Sequence, residues 1–208
     1  MTKKLLEWNE GLIKQGDESR GSTPLHFAAS WRSESMLENL LRLDSITSTA
    51  NLLLDAYESS AYQADHNGSF PIHVAALANN ITVARVLLRK CPDCVHLRDA
   101  QGRTFLHITA VKGYTILWVH YFLGGNRNGR LAQSFASIVN MQDNEGNTAL
   151  HLAAKAGQLW TIRRLIWHEQ VQLNLQNNKG QTALDLAQSQ RPPWVLSMLV
   201  RDLCLYTT

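Results

Sequence analysis

The chain has 208 residues, of which 45% are hydrophobic and 18% charged, and its 20 Lys and Arg residues against 17 Asp and Glu residues give a net charge of +3. That composition supports a buried core and excludes disordered, collagen-like and disulfide-stapled chains, since only three cysteines are present. No run of like charges marks a nucleic-acid or anionic-membrane surface, and the longest apolar stretch falls far short of the roughly 20 residues of a membrane span. We expect a soluble protein of a reducing compartment that binds no nucleic acid and inserts into no membrane.

One short pattern recurs five times along the chain. The leading glycine permits the positive φ of a tight turn, and Thr or Ser beside it can cap a helix. Pro24 and Pro71 suit the first turn of a helix, where no N–H is needed. Each copy therefore predicts a turn followed by a first, inner helix. The copies read GSTPLHFAA at 21–29, GSFPIHVAA at 68–76, GRTFLHITA at 102–110, GNTALHLAA at 146–154 and GQTALDLA at 180–187.

A second, outer helix is predicted after the later copies from apolar residues at helical spacing. In the first copy, both Met36–Leu41 and Leu52–Ala56 are candidates for this helix. The residues that predict it elsewhere are Val83, Val86, Leu87 and Leu88; Leu117, Trp118, Tyr121 and Phe122; Ile162, Leu165 and Ile166; and Val195, Leu196, Leu199 and Val200. The chain is expected to begin inside an array, because one more outer helix is predicted from Leu5, Leu6, Trp8 and Leu12.

The segment Thr23–Ala28 spells the T-P-L-H-x-A signature of ankyrin repeats, and two of the four intervals between leading glycines are 34 residues, close to the ankyrin period of about 33. The chain resembles the ankyrin-repeat family over nearly its whole length. The resemblance implies an all-α fold, an ankyrin-repeat solenoid of stacked helix-turn-helix units with β-hairpin fingers. Its expected units are 1–20, a partial repeat with an outer helix and finger; 21–67, a repeat with an insertion; 68–101; 102–145, a repeat with a Gly-rich insertion at Gly124–Arg130; 146–179; and a terminal repeat, 180–208.

Three strings, 62–73, 97–107 and 138–151, resemble the plant ankyrin–transmembrane proteins of grasses, which carry a membrane-spanning PGG domain after the array. This resemblance implies a protein-interaction module, the cytosolic ankyrin domain of a membrane-anchored protein in immune or stress signalling. It would lie at the cytoplasmic face of the plasma membrane and be anchored through a segment downstream of Thr208. Two alternatives are an effector-binding or integrated ankyrin region of a plant immune receptor, and a structural coupler in a channel-like membrane assembly.

Four of the eight histidines occupy one repeat position, three residues after the Thr position. A structural role explains all four together, because an imidazole there can hydrogen-bond the Thr side chain and the nearby turn backbone. The network must differ where Phe70 replaces Thr and where Asp185 replaces His. The residues of this structural repeat motif are Thr23, His26, His73, Thr104, His107, Thr148, His151, Thr182 and Asp185.

Cys91 and Cys94 have C-x-x-C spacing, with His96 close behind, which raises a zinc or redox hypothesis. The pair lacks a second ligand pair and follows a predicted helix where a redox motif should follow a strand, so we assign it to a turn between repeats. No phosphate-loop, hydrolase, zinc-protease or EF-hand spacing occurs either. We therefore predict no enzyme activity, no catalytic residue, no cofactor and no metal site.

The ankyrin resemblance also implies a working surface, because partners of that family contact the fingers and the exposed ends of the inner helices. We call the corresponding positions the strip. It is polar and mildly basic, which favours a partner with an acidic segment. Trp31 is its expected hot spot, with burial under the first insertion as the alternative. The strip consists of Arg20, Ser22, Ser30, Trp31, His66, Asn67, Ser69, Leu77, Gln101, Arg103, Val111, Lys112, Asn144, Glu145, Asn147, Lys155, Lys179, Gln181, Ser189 and Gln190.

Overall fold

The structure is a computed structural model that describes residues 15–31, 47–114 and 130–190. The chain divides into two compact units, 1–100 and 101–208, and each is described by itself. All regular structure in the described ranges is helical, which confirms the all-α expectation. None of the helices in these ranges is long and apolar enough to cross a membrane.

The first unit contains two helical repeats. Its helices are α1, Pro24–Ser30; the described part of α2, 47–56; α3, Pro71–Leu77; and α4, Ile81–Lys90; short 3₁₀ turns lie at Glu58–Tyr62 and Pro92–His96. The inner helices α1 and α3 pack side by side, and α4 packs against both. The core consists of small and branched apolar side chains, including Leu25, Ala29, Ala50, Leu53, Leu54, Ile72, Ala75, Ala76, Val83 and Leu87.

Helix α2 is the outer helix of the first repeat. It lies 34 residues before α4 in register, so that its buried Leu53 corresponds to the buried Leu87. Lys90 of α4 forms an ion pair with Asp55 of α2 and donates to the carbonyl oxygen of Asn51 at 3.4 Å. The extra residues of this repeat therefore fall between 31 and 47, and the other candidate segment, 36–41, lies outside the described residues.

The second unit contains α5, Phe105–Lys112; α6, Arg130–Ile138; α7, Ala149–Ala156; α8, Leu159–Ile166; and α9, Ala183–Gln190. The inner helix α7 packs against the inner helices α5 and α9 and against its own outer helix α8. Three further predicted features lie outside the described residues: the apolar positions of the third and fifth outer helices, the Gly-rich insertion up to 129, and the outer helix of the N-terminal partial repeat at 5–12.

Helix α6 was not predicted from the sequence pattern. It begins at the last residue of the Gly-rich segment, Arg130, and buries Phe135 and Ile138 completely. Counted back from the next leading glycine, these two residues stand where Cys91 and Cys94 stand in the second repeat. The third repeat therefore fills with large apolar side chains the core positions that the second repeat fills with thiols.

The starts of the inner helices follow from local chemistry. Thr23, Thr104 and Thr148 occupy the N-cap position with extended backbone, and Pro24 and Pro71 lie in the first turn, as predicted. The five leading glycines have φ between +66° and +77°. The β-hairpin fingers that the resemblance implied are tight turns in the described residues, which contain no β-strand, and backbone hydrogen bonds join them to neighbouring fingers.

Candidate interaction surface

Three fingers are closed by one acidic or amide side chain three residues before the leading glycine. In these fingers, the Oδ1 atom of Asp65, Asp143 or Asn177 accepts hydrogen bonds from the backbone N–H groups two and four residues ahead, at 2.8–3.0 Å. These turns satisfy backbone donors that no helix or strand satisfies. The finger tips therefore hold a fixed backbone from which the strip side chains project.

Neighbouring fingers are joined by a repeated backbone hydrogen bond. The N–H of His66 donates to the carbonyl oxygen of Arg20 at 2.7 Å. In the second unit, the N–H of Asn144 donates to Gln101 and that of Asn178 donates to Glu145, both at 3.0 Å. Three of the predicted strip residues thus use their carbonyl groups to hold the next finger, while their side chains are exposed.

Three of the motif histidines join their inner helix to the finger of the following repeat. The Nε2 atom of His26 lies 2.9 Å from the carbonyl oxygen of Ser69, that of His107 lies 3.1 Å from Asn147, and that of His151 lies 3.0 Å from Gln181. Within their own repeats, the Nδ1 atoms lie 2.8–2.9 Å from the Oγ1 atoms of Thr23, Thr104 and Thr148, respectively.

These contacts require the neutral, Nε2-protonated form of the imidazole. Nδ1 accepts a backbone N–H, from Thr23 to His26 at 3.1 Å and from Thr148 to His151 at 3.2 Å, so the ring hydrogen must lie on Nε2, which donates to the carbonyl. Burial lowers the pKa of both His26 and His151 below the usual histidine value. His26, His107 and His151 are therefore structural links between repeats.

The two departures from the motif have different consequences. His73 keeps the contact at its helix start, because Nδ1 accepts the N–H of Phe70 at 3.1 Å, and its Nε2 lies 3.1 Å from the carbonyl oxygen of Leu97 in its own repeat. Asp185 accepts from the N–H and hydroxyl of Thr182 at 2.8 and 2.7 Å, and these hydrogen bonds lower the pKa of its carboxyl group. An ionised carboxylate only accepts hydrogen bonds, so Asp185 cannot donate to a following finger as the histidines do.

In the first unit, the strip is aromatic and apolar at the inner helices. Trp31 is 47% exposed and Leu77 is 54% exposed, and Phe27, one helical turn before Trp31, is 56% exposed. The strip residues of the fingers are polar, with Arg20, His66 and Asn67 exposed and Ser22 and Ser69 half-buried. Phe27 was missed by sequence reasoning because it lies outside the positions that the ankyrin resemblance implies for the strip, and its repeat position is buried in the copies of the second unit, at Ile108 and Leu152.

In the second unit, the strip carries most of the charge. Lys112 and Lys155 are exposed near the C-terminal ends of α5 and α7, and Lys179 is exposed in a finger. Arg103 donates to the side chain of Gln101 at 3.1 Å, and both belong to one finger. Gln181 is half-buried in the last finger. The side chains of Ser189 and Gln190 are not among those that the structure describes.

Asn147 is the predicted strip residue that the structure places in the interior. It is only 2% exposed, and its side chain forms the middle of a network of three residues. The amide group of Asn177 donates to Oδ1 of Asn147 at 3.0 Å, and the amide group of Asn147 donates to Oε2 of Glu145 at 3.2 Å. The network therefore orients the exposed carboxylate of Glu145, the one acidic side chain predicted for the strip.

Two amide side chains that sequence reasoning missed also connect repeats. Asn80 donates to the carbonyl oxygen of Trp31 at 3.1 Å, and Gln158 donates to that of Val111 at 3.2 Å. They stand at the same repeat position, three residues after the end of α3 and two residues after the end of α7, and satisfy carbonyl groups that a helix C-terminus leaves open. The signal in the sequence is the amide residue that follows Asn79 in one repeat and Gly157 in the other.

The cysteine pair is buried in the first unit. Cys91 and Cys94 are both 0% exposed and carry free thiols, and burial raises the pKa of Cys91 to about 11 and that of Cys94 further. The hydroxyl group of Tyr62 interacts with the Cys91 thiol. In the described ranges, no group of three or more His, Cys, Asp or Glu side chains is placed to hold a metal ion. The thiols pack as small apolar groups in the core.

Comparison with known families finds ankyrin repeats in both units. One model, described as an ankyrin repeat, matches residues 20–55 and 67–100, and a second, described as ankyrin repeats in many copies, matches residues 131–187. Together these matches cover more than half of the chain.

Curated relatives match through part of their length. E3 ubiquitin-protein ligase KEG of Arabidopsis thaliana is 30% identical over 108 residues, which are 52% of this chain and 6% of that protein. A probable serine/threonine-protein kinase of Dictyostelium discoideum is 29% identical over 113 residues, 54% of this chain and 11% of the kinase. Rabankyrin-5 of Mus musculus is 28% identical over 180 residues, 75% of this chain and 14% of the relative. The chain thus spans no more than 14% of the length of these three relatives.

Proposed function

Because the chain belongs to the ankyrin-repeat family, whose repeats serve as protein–protein interaction modules, we propose that it binds an acidic segment of another protein through the strip. The observation that carries this proposal is the set of exposed cations in the second unit. Lys112 and Lys155 lie near the ends of α5 and α7, which pack side by side, and helices in contact have axes about 8–10 Å apart. One extended acidic segment can therefore reach both ammonium groups.

The charges of the strip favour an anionic partner by accelerating association. Lys112, Lys155 and Lys179 are exposed, whereas Glu145, the acidic residue of the strip, accepts a hydrogen bond from Asn147. Charged groups at the rim of an interface act mainly on the association rate and are weakened by salt. Lys112 and Lys155 also lie where cations stabilise a helix C-terminus, so their effect on stability must be measured separately.

In the first unit, the strip supplies an aromatic anchor. Trp31 is about half exposed, and a tryptophan that becomes buried at an interface is often worth about 2 kcal/mol or more, or at least a tenfold change in affinity. We expect Trp31→Ala to weaken partner binding at least tenfold while leaving the helical content unchanged. Unchanged affinity for every partner found would remove Trp31 from the proposed site.

The wider context that we propose is immune or stress signalling in a plant, with the chain as the cytosolic ankyrin domain of a membrane-anchored protein. The resemblance of residues 62–73, 97–107 and 138–151 to plant ankyrin–transmembrane proteins supports this context. Anchoring to the cytoplasmic face of the plasma membrane would come from a segment downstream of Thr208. An effector-binding region of an immune receptor and a structural coupler in a channel-like assembly are the alternatives. Membrane spans in the parent gene would favour the first or third, and a nucleotide-binding domain would favour the second.

Affinity capture from plant tissue tests the binding proposal. The wild-type chain is compared with an Arg103→Glu/Lys112→Glu variant and with Arg85→Glu, which reverses an exposed charge on the outer helix α4. We expect one set of proteins to bind the wild type and the control but not the double variant, and recovery to fall at higher salt. Recovery of the same proteins by all three chains would contradict recognition through the strip.

A further inference from the structure

The outer helix α8 presents two tryptophans and two arginines on the side facing away from the core. Trp160 is 70% exposed and Trp167, which ends the helix, is 50% exposed. Arg163 and Arg164 lie between them, and at 100° per residue all four fall within roughly one third of the helix circumference. We call these four residues the Trp–Arg face. The opposite side of α8 buries Thr161, Ile162, Leu165 and Ile166.

A cation–π contact orders part of this face. The Cζ atom of Arg163 lies over the ring of Trp167, 5.6 Å from its centroid, which is within the range of a cation–π interaction. A guanidinium group stacked on a ring keeps its N–H edge available in the plane, which suits bidentate pairing with a carboxylate. The arginine is therefore held beside the apolar surface and does not extend beyond it.

The ankyrin fold does not require these side chains. In the second repeat, the corresponding outer helix α4 has Thr82, Arg85, Val86 and Arg89 at the same four positions, counted from the leading glycines. Val86 is buried there, whereas Arg164 is half-buried at the equivalent site. Two large aromatic side chains in place of a threonine and an arginine expose apolar surface that contributes nothing to the interior. A cluster of exposed apolar side chains rimmed by polar residues is often an interaction site.

The size of the face limits what can bind to it. With about 150–250 Å² for a tryptophan side chain, the exposed fractions of Trp160 and Trp167 give an apolar surface on the order of 200–300 Å². A standard protein–protein interface buries about 800 Å² on each side. The face is thus large enough for a short segment and too small for a globular partner by itself. Trp and Arg are also the residue types most enriched among those that dominate binding energy.

Charge decides between the candidate occupants. Residues 155–172 contain three basic residues, Lys155, Arg163 and Arg164, and one acidic residue, Glu169, so this segment is positively charged. A second copy of the chain would bring the same arginines together about a two-fold axis, which opposes association. A lipid surface would draw the arginines outward past the tryptophans, whereas Arg163 lies over the ring of Trp167. A peptide with carboxylates next to an apolar side chain matches both the positive charge of the arginines and the apolar surface of the tryptophans.

We propose that the Trp–Arg face is a second docking site, which binds a short acidic segment of a partner protein. An apolar side chain of that segment packs between Trp160 and Trp167, about 10 Å apart along the helix, and flanking carboxylates pair with Arg163 and Arg164. The inference rests on the proposed function as an interaction module, but it concerns the outer helix and is independent of the strip.

The test selects binders from a displayed library of random 16-residue peptides on the whole 208-residue chain, with counter-selection on Trp160→Ser/Trp167→Ser. Selected peptides are then measured by fluorescence anisotropy against Arg163→Glu, against the matched control Arg85→Glu and against the strip variant Arg103→Glu/Lys112→Glu. Circular dichroism melts establish that each variant is folded. Because the replaced side chains are exposed, apart from the half-buried Arg103, we expect melting close to that of the wild type.

We expect the selected peptides to contain acidic residues next to an aliphatic or aromatic one. Their affinity should fall at least tenfold with Arg163→Glu and remain within twofold with Arg85→Glu and with the strip variant. Replacing the peptide carboxylates by lysines should restore binding to Arg163→Glu. A loss of binding with the strip variant alone would locate these peptides at the strip and overturn the inference while leaving the proposed function intact.

Three further results would overturn the inference. The first is that no selected peptide depends on the tryptophans for binding. The second is that phosphatidylcholine–phosphatidylserine vesicles shift the tryptophan fluorescence and Trp160→Ser abolishes the shift. The third is that the wild type sediments as a dimer and Arg163→Glu alters this dimer. The second result would assign the face to an anionic lipid surface, and the third to self-association.

Discussion

Replacing the leading glycine of two fingers by alanine separates the strain of one turn from the contact between neighbouring repeats. Gly146 and Gly180 have nearly the same backbone, with φ of +77° and +71°. A Cβ atom on Gly146 would lie 2.6 Å from the backbone nitrogen of Asn178 in the next finger, whereas one on Gly180 would meet no atom within 4 Å. Both substitutions therefore place alanine in a left-handed backbone conformation, but only Gly146→Ala also crowds the next finger.

The shared cost is that of a left-handed conformation for a residue with a side chain, about 1–2 kcal/mol, partly offset by the lower entropy of the unfolded alanine chain. Gly180→Ala should destabilise the protein by about that amount. In Gly146→Ala the backbone of the next finger must also move by about 0.8 Å to reach ordinary contact distance, at a cost of about 1–3 kcal/mol for overpacking. That movement strains the 3.0 Å hydrogen bond from Asn178 to Glu145, which is worth about 1 kcal/mol.

We therefore expect Gly146→Ala to cost about 2–4 kcal/mol more than Gly180→Ala in urea unfolding followed by far-UV circular dichroism. Adding Asn178→Gly to Gly146→Ala removes the side chain that also crowds the new methyl group, but leaves the backbone contact. This double variant should recover only part of the loss. Equal destabilisation by the two alanine substitutions would show that the finger backbones are not in the close contact described.

Three other properties follow from buried groups. Thr161→Val should raise the free energy of unfolding by about 1 kcal/mol or more in urea, because the Thr161 hydroxyl is buried and has no hydrogen-bond partner in the described part of the chain; a loss of stability would contradict this. Because burial lowers the pKa of His26 and His151, their full contribution is present above about pH 6.5 and is lost as the pH falls towards their folded pKa values, so the urea midpoint should fall between pH 7.5 and 5.5 and should not rise. Cys91 and Cys94 should react with a maleimide only as fast as the first unit opens, as followed by peptide mapping, and rapid modification in native buffer would show that the thiols are accessible.

Local parts of the fold were predictable because their causes lie within a few residues. The turn at each leading glycine, the threonine cap and the proline in the first turn involve neighbours in sequence, and all were found where the pattern predicts them. The contact between Thr148 and His151 is also local, since three residues separate them. Its second half, from His151 to the carbonyl of Gln181, spans 30 residues and depends on the stacking of the next repeat.

Helix α6 shows where the repeat pattern stops being informative. The Gly-rich segment before Arg130 breaks the 34-residue register, so periodicity could not align this helix with the outer helices of other repeats. Its burial of Phe135 becomes evident only when the core positions of two repeats are compared. The first insertion raised a similar ambiguity, and contacts between α2 and α4 place the outer helix at 47–56.

The sequence by itself determined the repeat family, the turns and the inner helices, because glycine, threonine, proline and histidine act there through local hydrogen bonds and backbone preferences. Tertiary structure decided which side chains are available to a partner. Asn147 lies in a predicted contact position, yet it is buried and accepts a hydrogen bond from Asn177 of the next finger. Trp160 lies on an outer helix, as many core residues do, yet it is 70% exposed. Exposure depends on what the neighbouring repeat covers, and a pattern read along one repeat does not contain that information.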